Sequence, residues 1–131
     1  PLNITANIRT LEWAEWLEEQ GDGNFETFVC SWNGNIDPDD FFYAQHKTGE
    51  VFNFGQYSNE TVDELLADGR AAPDAESRQG VYEEINRLIV DEAPYIYLYN
   101  PLEINVYRTD VEGFSARPDQ AVPFVETWLD R

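Results

Sequence analysis

Methionine is absent from this chain, and lysine, cysteine and histidine each occur once, as Lys47, Cys30 and His46. Each scarcity excludes something. A chain that starts at Pro1 and holds no Met reads as a piece of a longer or processed protein, so part of any site is expected to lie elsewhere. One Cys cannot close an internal disulfide, and with one His it cannot build a four-ligand zinc centre. Cys30 follows Phe28 and Val29 in a predicted strand and is expected to be a small buried apolar residue. A single His and a single Cys leave almost no room for a nucleophilic triad. His46, beside Lys47 at a predicted helix end, is expected to be exposed and without a role. No apolar run approaches the roughly 20 residues that a membrane-spanning helix needs. No P-loop, dinucleotide fingerprint, Gly-x-Ser-x-Gly or His-Glu-x-x-His occurs, and no cofactor or metal is implied.

What abounds is acid. There are 26 Asp and Glu against 8 Lys and Arg, a formal net charge of −18. Such a surface repels phosphate backbones and anionic headgroups, which excludes nucleic acid as a partner. It also sets the folded chain against itself, and salt relieves this, with a Debye length of about 3 Å at 1 M. Acid-rich, lysine-poor composition resembles that of halophilic proteins, haloarchaeal ones in particular. Apolar residues at 42% and aromatics at 15% mark globular sequence rather than a disordered tail. The 131 residues suffice for a single domain, 1–131, with a core of its own.

Along the chain, mixed α and β signals alternate in one unit. Residues 2–8 read as a strand. Thr10 can cap a helix to Gln20 whose Trp13, Trp16 and Leu17 share a face, and Gly21-Asp22-Gly23 stops it. Residues 25–32 read as a second strand. Asp37 starts a short helix ending near His46, and 47–58 is loop. Ser58 or Asn59 caps a helix to about Gly69. Asp74 caps a longer one, with Val81, Ile85, Leu88 and Ile89 as its apolar stripe and Pro94 as its stop. Residues 95–99 and 103–107 read as strands around Asn100-Pro101, and a final strand is expected near 124–128. Tyr95, Tyr97 and Tyr99 alternate onto one strand face, where they line a cleft or cover a sheet.

The stretch SWNGNIDPDDFFY, residues 31–43, carries the sharpest signals. Asp37 before Pro38 is the sequence of a helix start: Pro suits the first helical position and Asp37 the cap. Asp39 and Asp40 fall in the first turn, where the helix dipole favours negative charge. The helix start therefore accounts for all three carboxylates. A calcium loop would need more alternating acids, a turn glycine and a distal Glu. Trp32 ends a strand and opens the loop Asn33-Gly34-Asn35, a place where open α/β folds hold ligands. Its indole either walls a ligand gap or plugs the strand end.

Three ordered blocks carry a family resemblance. Ser31-Trp32-Asn33-Gly34-Asn35-Ile36-Asp37-Pro38 resembles a Gly-Trp-x-x-Asp-x-x-Asp-Pro segment. Asn53 to Tyr57, then the helix holding Asp63, is similar to an Asn-x-x-x-aromatic element followed by an Asp-bearing helix. Asp74, Arg78 and Tyr82, then Asp91-Glu92-Ala93-Pro94, resemble Asp-x-x-x-Arg-x-x-x-Tyr and Asp/Glu-x-Ala-Pro, and Val111-Glu112-Gly113 fits a later Val-x-Gly. Together they resemble the extracytoplasmic solute-binding proteins of peptide, oligopeptide and nickel ABC transporters, family 5. Such proteins are about four times this length, so the resemblance implies the C-terminal lobe of a two-lobed protein. The implied fold is α/β, a periplasmic-binding-protein-like lobe of type II, with a mixed sheet flanked by helices.

That resemblance implies a non-catalytic chain that closes on a peptide or similar small solute and hands it to a membrane permease. It also implies a missing N-terminal lobe and an extracytoplasmic place, tethered to the membrane at the cell surface. Trp32, Asn53 and Tyr57 are implied to face the ligand, with Asn33, Asn35 and Asp37 in the loop beside them. Peptide-binding relatives place an Asp after the Trp to pair with the α-ammonium. Here the loop is about one residue shorter, and Asn35 falls near that place. An amide accepts from an ammonium without supplying negative charge, and Asp37 is the carboxylate at hand to substitute. Two alternatives remain: an oligosaccharide or metal chelate as ligand, and, from another class, an acid-catalysed hydrolase domain.

Overall fold

A computed structural model describes residues 3–33 and 36–131. Leu2, at the start of the expected first strand, and Gly34 and Asn35, in the loop after Trp32, lie outside the described residues. The chain divides into two compact units, Pro1–Cys30 and Ser31–Arg131.

The first unit is built on α1, Trp13–Gly21. It starts two residues later than Thr10 would place it: Glu12 stands at the N-cap and supplies no side-chain hydrogen bond. The i, i+3 spacing stacks Trp13 on Trp16, with centroids 5.1 Å apart. Phe28 meets Trp16 edge-on at 5.8 Å and Phe25 at 4.8 Å. Arg9 reaches Glu15 and Glu19 across the helix surface. Residues 25–32, expected as a strand, pair with nothing in a ladder among the described residues, and neither do 3–8. Strand geometry needs a neighbour to take its N–H and C=O groups. Cys30 is accordingly exposed rather than buried, because the segment that was to bury it forms no sheet here.

Among its described residues the second unit holds three helices and a two-residue ladder. Helix α2, Pro38–His46, has Asp37 as its cap, accepting from the N–H of Asp39 at 2.8 Å, with Pro38 at N1. Helix α3, Glu60–Ala71, is capped by Asn59 through the N–H of Val62. Helix α4, Ala75–Glu92, is capped by Asp74 through the N–H of Ser77. It ends at Ala93, in the left-handed conformation, one residue before Pro94.

A three-residue link makes α3 and α4 a helical hairpin. Val62 and Leu66 from one, and Tyr82, Ile85 and Ile89 from the other, form the buried core. Their i, i+3, i+4 spacing is what turns one apolar face of each helix inward. Gly69 permits the close approach: a Cβ there would lie 2.9 Å from the Tyr82 ring.

His46, at the end of α2, is buried rather than exposed, since the last turn of α2 packs on this core. Its ring sits within 6.1 Å of Phe41, Phe42, Tyr57 and Tyr95, measured between centroids.

Strands β1, Val111–Glu112, and β2, Trp128–Leu129, pair antiparallel with Val111 opposite Leu129 and Glu112 opposite Trp128. This is smaller than the mixed sheet expected. Residues 95–99 and 103–107 join no ladder among the described residues, for the same want of a neighbour. Helices plus a small sheet nevertheless make the α/β lobe that the sequence anticipates. No helix among the described residues is long and apolar enough to cross a membrane.

Candidate functional site

The loop between α2 and α3, residues 47–59, is a run of tight turns: Glu50 N–H to Lys47 O, Asn53 N–H to Glu50 O, and Gln56 N–H to Asn53 O, each 3.0–3.1 Å. Asn53 locks them. Its amide donates to Lys47 O at 3.1 Å and Tyr57 O at 2.7 Å, and accepts from the Tyr57 N–H at 2.9 Å. The side chain is buried, so these bonds are made away from competing water. Thr48 ties the loop to α3 through Asp63, 2.9 Å.

Tyr57 packs against the core with its hydroxyl donating to Glu92 at 2.6 Å. Asn59 donates to the other oxygen of that carboxylate at 2.6 Å. Burial and then the facing Glu92 push the Tyr57 phenol well above its ordinary range, so it stays a donor. Tyr57 thus joins the loop to the end of α4.

Trp32 is 39% exposed. Its ring meets Phe52 edge-on, 5.1 Å between centroids, and Phe52 lies 6.1 Å from Phe54. The indole is therefore neither sealed in the interior nor standing clear in solvent. It leans on an aromatic ledge that the loop presents, with Phe52 itself 41% exposed. Asn33 beside it is exposed.

Asp37 faces two demands at once. Besides capping α2, it is held by both terminal nitrogens of Arg78, at 3.0 and 2.5 Å. Arg78 first and the Asp39 N–H second keep its carboxyl below the usual carboxylate range. Burial works to raise Asp39, but the Arg70 fork at 2.9–3.0 Å and the Tyr82 hydroxyl at 2.8 Å outweigh it and leave it lowered. Arg70 also stacks on Tyr43, 3.2 Å from the ring centre. Two of the three acids in the opening stretch thereby bind α2 to α3 and α4. No group of three or more His, Cys, Asp or Glu among the described residues could hold a metal ion.

Sequence reasoning missed Phe52 and Arg70, and it had Arg78 and Glu92 only as motif positions, without the contacts they make. The aromatic pair flanking Asn53 was a local signal for Phe52. The arginine partners stand 31 and 41 residues from their aspartates, a separation that no local pattern reports.

No family model matches the chain. Curated relatives do. A probable di/tripeptide-binding protein 5 of Pseudomonas aeruginosa is 34% identical over 88% of this chain, and di/tripeptide-binding protein 2 of the same organism is 29% identical over 98%. The chain is homologous to the family 5 solute-binding proteins. It spans about a quarter of these relatives' length, 23% and 25%. Among solved structures, HbpA2 from Haemophilus parasuis superposes with a TM-score of 0.70 at 21% identity, over 94% of this chain and 25% of that one. At that identity the likeness speaks for the fold alone, and it supports the α/β lobe. These family members are binding proteins, not enzymes.

Proposed function

We propose that the chain is the C-terminal, ligand-handling lobe of an extracytoplasmic solute-binding protein that takes peptides and delivers them to the permease of an ABC transporter. The observation that carries this reading is homology to di/tripeptide-binding proteins along nearly the whole chain. The missing N-terminal lobe supplies the opposite wall, and the whole is tethered at the cell surface. Trp32 with Phe52 offers the apolar wall, and the amides of Asn33 and Asn35 accept from the peptide's ammonium. Asp37 lends negative potential nearby, while Asn53 and Tyr57 hold the loop that presents the aromatic ledge. The acidic, lysine-poor surface fits a halophilic source.

The hydrolase alternative fits poorly with the site. A general acid needs a carboxyl held protonated near neutral pH, whereas Arg78 keeps Asp37 ionised. An oligosaccharide ligand draws some support from the partly exposed Trp32 and Phe52 rings, since sugar rings pack on aromatic faces.

Calorimetric titration of the two-lobed protein with di- and tripeptides, and with oligosaccharides in parallel, tests the reading. Peptide binding is expected, with Trp32→Ala weakening it about tenfold or more, the loss of one well-packed aromatic contact. Saturable binding of oligosaccharide alone, or unchanged peptide affinity in Trp32→Ala, would overturn it.

A further inference from the structure

The centres of tight turns are places for Gly, Pro, Asn, Asp and Ser. The turn closed by the Asn53 N–H on Glu50 O holds Val51 and Phe52 there instead. They are 73% and 41% exposed. The next turn, closed by the Gln56 N–H on Asn53 O, has Phe54 in its centre, 6.1 Å from Phe52. Turn chemistry asks for none of these side chains. Single apolar residues at a surface need no account, but Val51 adjoins Phe52, and Phe52 meets Trp32, itself 39% exposed. Two features fit this patch to read side chains. Its polar neighbours are spent: Asn53, the one polar side chain of 51–54, gives its amide protons to Lys47 O and Tyr57 O and accepts from the Tyr57 N–H. Asp37, at the far end of the loop that Trp32 opens, is held by Arg78. What the side chains of 51–54 offer a guest is therefore apolar area. The patch is also stiff. Successive turns and the buried Asn53 fix the backbone on both sides of Phe52, so little freedom is lost when a guest lands there. The Trp32 and Phe52 rings stand at 70° to one another, so a third flat ring can stack on one while meeting the other edge-on.

We infer that Val51 and Phe52, with Trp32, form a side-chain subsite that selects peptides carrying an aromatic or large aliphatic group over those carrying a small or acidic one, with Phe52 as the discriminating residue. The subsite rests on the reading that the chain handles peptides, and it names the class of peptide. Acidic groups are disfavoured twice. A carboxylate would lose water against the rings without gaining a partner, and the chain around it carries a net charge of −18. Continuity with Trp32, the ring assigned to the ligand wall, is what makes a solute the occupant of the patch rather than more polypeptide.

Calorimetric titration of the two-lobed protein with trialanine, and with trialanine bearing one Phe, Leu or Glu at each position in turn, tests this. At one position Phe and Leu are expected to bind about tenfold or more tighter than Ala, and Glu more weakly than Ala. Phe52→Ser is expected to bring the Phe-to-Ala ratio at that position within about twofold. Phe52→Leu, which keeps an apolar side chain there, should retain the preference for Leu over Ala. Val51→Ser, a change that a turn centre accepts, should narrow the ratio in part. Each comparison is a ratio within one protein, so a general loss of affinity or of folded material cancels. No preference at any position, or a preference that Phe52→Ser leaves intact, would overturn the subsite while the peptide reading stands. An equal loss for the Ala and Phe peptides in Phe52→Ser would do the same, since it would mark Phe52 as a wall without selectivity or as a surface covered by polypeptide. If no tripeptide binds at all, the functional reading falls and the subsite with it.

Discussion

His46 shows how a single residue links burial to pH. Its Nδ1 faces the carbonyl of Phe42 at 3.2 Å, which puts the ring proton there, and its Nε2 has no partner among the described residues. An orphaned lone pair is tolerable, but a second proton at Nε2 would place an unpaired charge in the core. Burial accordingly lowers its pKa from 6.5 to about 4. The unfolded chain binds the proton more readily than the folded one between these values. Stability is therefore complete above pH 6.5 and falls as pH drops toward 4, by about 3 kcal/mol at 1.36 kcal/mol per unit. Thermal melts from pH 7.5 to 4 should show this decline, and His46→Phe should flatten the part above pH 5, where the carboxylates are still ionised. At Gly113, φ is +72° and a Cβ would stand 2.0 Å from the Glu126 carbonyl oxygen. Gly113→Ala cannot fit without moving that backbone, in addition to about 1–2 kcal/mol of left-handed strain. The readout is the Asp130 amide, which donates to Asp110 O at 2.9 Å beside the ladder. It should exchange at least tenfold faster, with Ile89 unaffected.

Among the elements, the 47–59 loop depends on Asn53 more than on any apolar contact. Asn53→Ala removes two donors and one acceptor from a buried turn, leaving Lys47 O, Tyr57 O and the Tyr57 N–H to seek water. The expected cost is about 3 kcal/mol, set by stranded polar groups rather than by lost volume. Asn53→Asp should be no milder, because a carboxylate would face two carbonyl oxygens. Urea denaturation monitored at the α3–α4 hairpin measures the first. Fluorescence of Trp32 reports whether the Phe52 ledge has moved. A loss below 0.5 kcal/mol would mean that the loop is held by its turns alone. The helix starts were legible in the sequence because a cap is local: Asp37, Asn59 and Asp74 each bond an N–H two or three residues on. Strands were not legible in the same sense. Residues 25–32, 95–99 and 103–107 have strand composition, yet a strand exists only with a partner, and that partner can lie anywhere in a chain or outside it.

At the level of the whole molecule, charge outweighs any single contact. Arginine forks hold Asp37, Asp39, Glu84, Asp110 and Asp119, but the formal net charge stays at −18. Salt screens both the forks and the repulsion, and the repulsion involves many more pairs. Raising KCl from 0.1 to 3 M should therefore raise the melting temperature by about 10 °C or more, a gain of a few kcal/mol for a domain of this size. A flat or falling curve would count against a halophilic source. Half of the candidate wall was legible too. Trp32 stood out because an indole at the head of a polar loop is unusual, while its contact with Phe52 joins residues 20 apart in sequence.

The sequence by itself determined where α2, α3 and α4 begin, which faces of α3 and α4 turn inward, the sign and size of the surface charge, and the family resemblance. All of these follow from neighbours within one helical turn, from simple sums over the chain, or from ordered motifs. Only the tertiary structure decided that His46 is buried, that Asp37 and Asp39 belong to Arg78 and Arg70, that Asn53 spends its amide on the loop, and that Cys30 is exposed. Each of those depends on groups brought together across tens of residues, or on a sheet neighbour that the described residues lack, and distance along a chain carries no record of proximity in space.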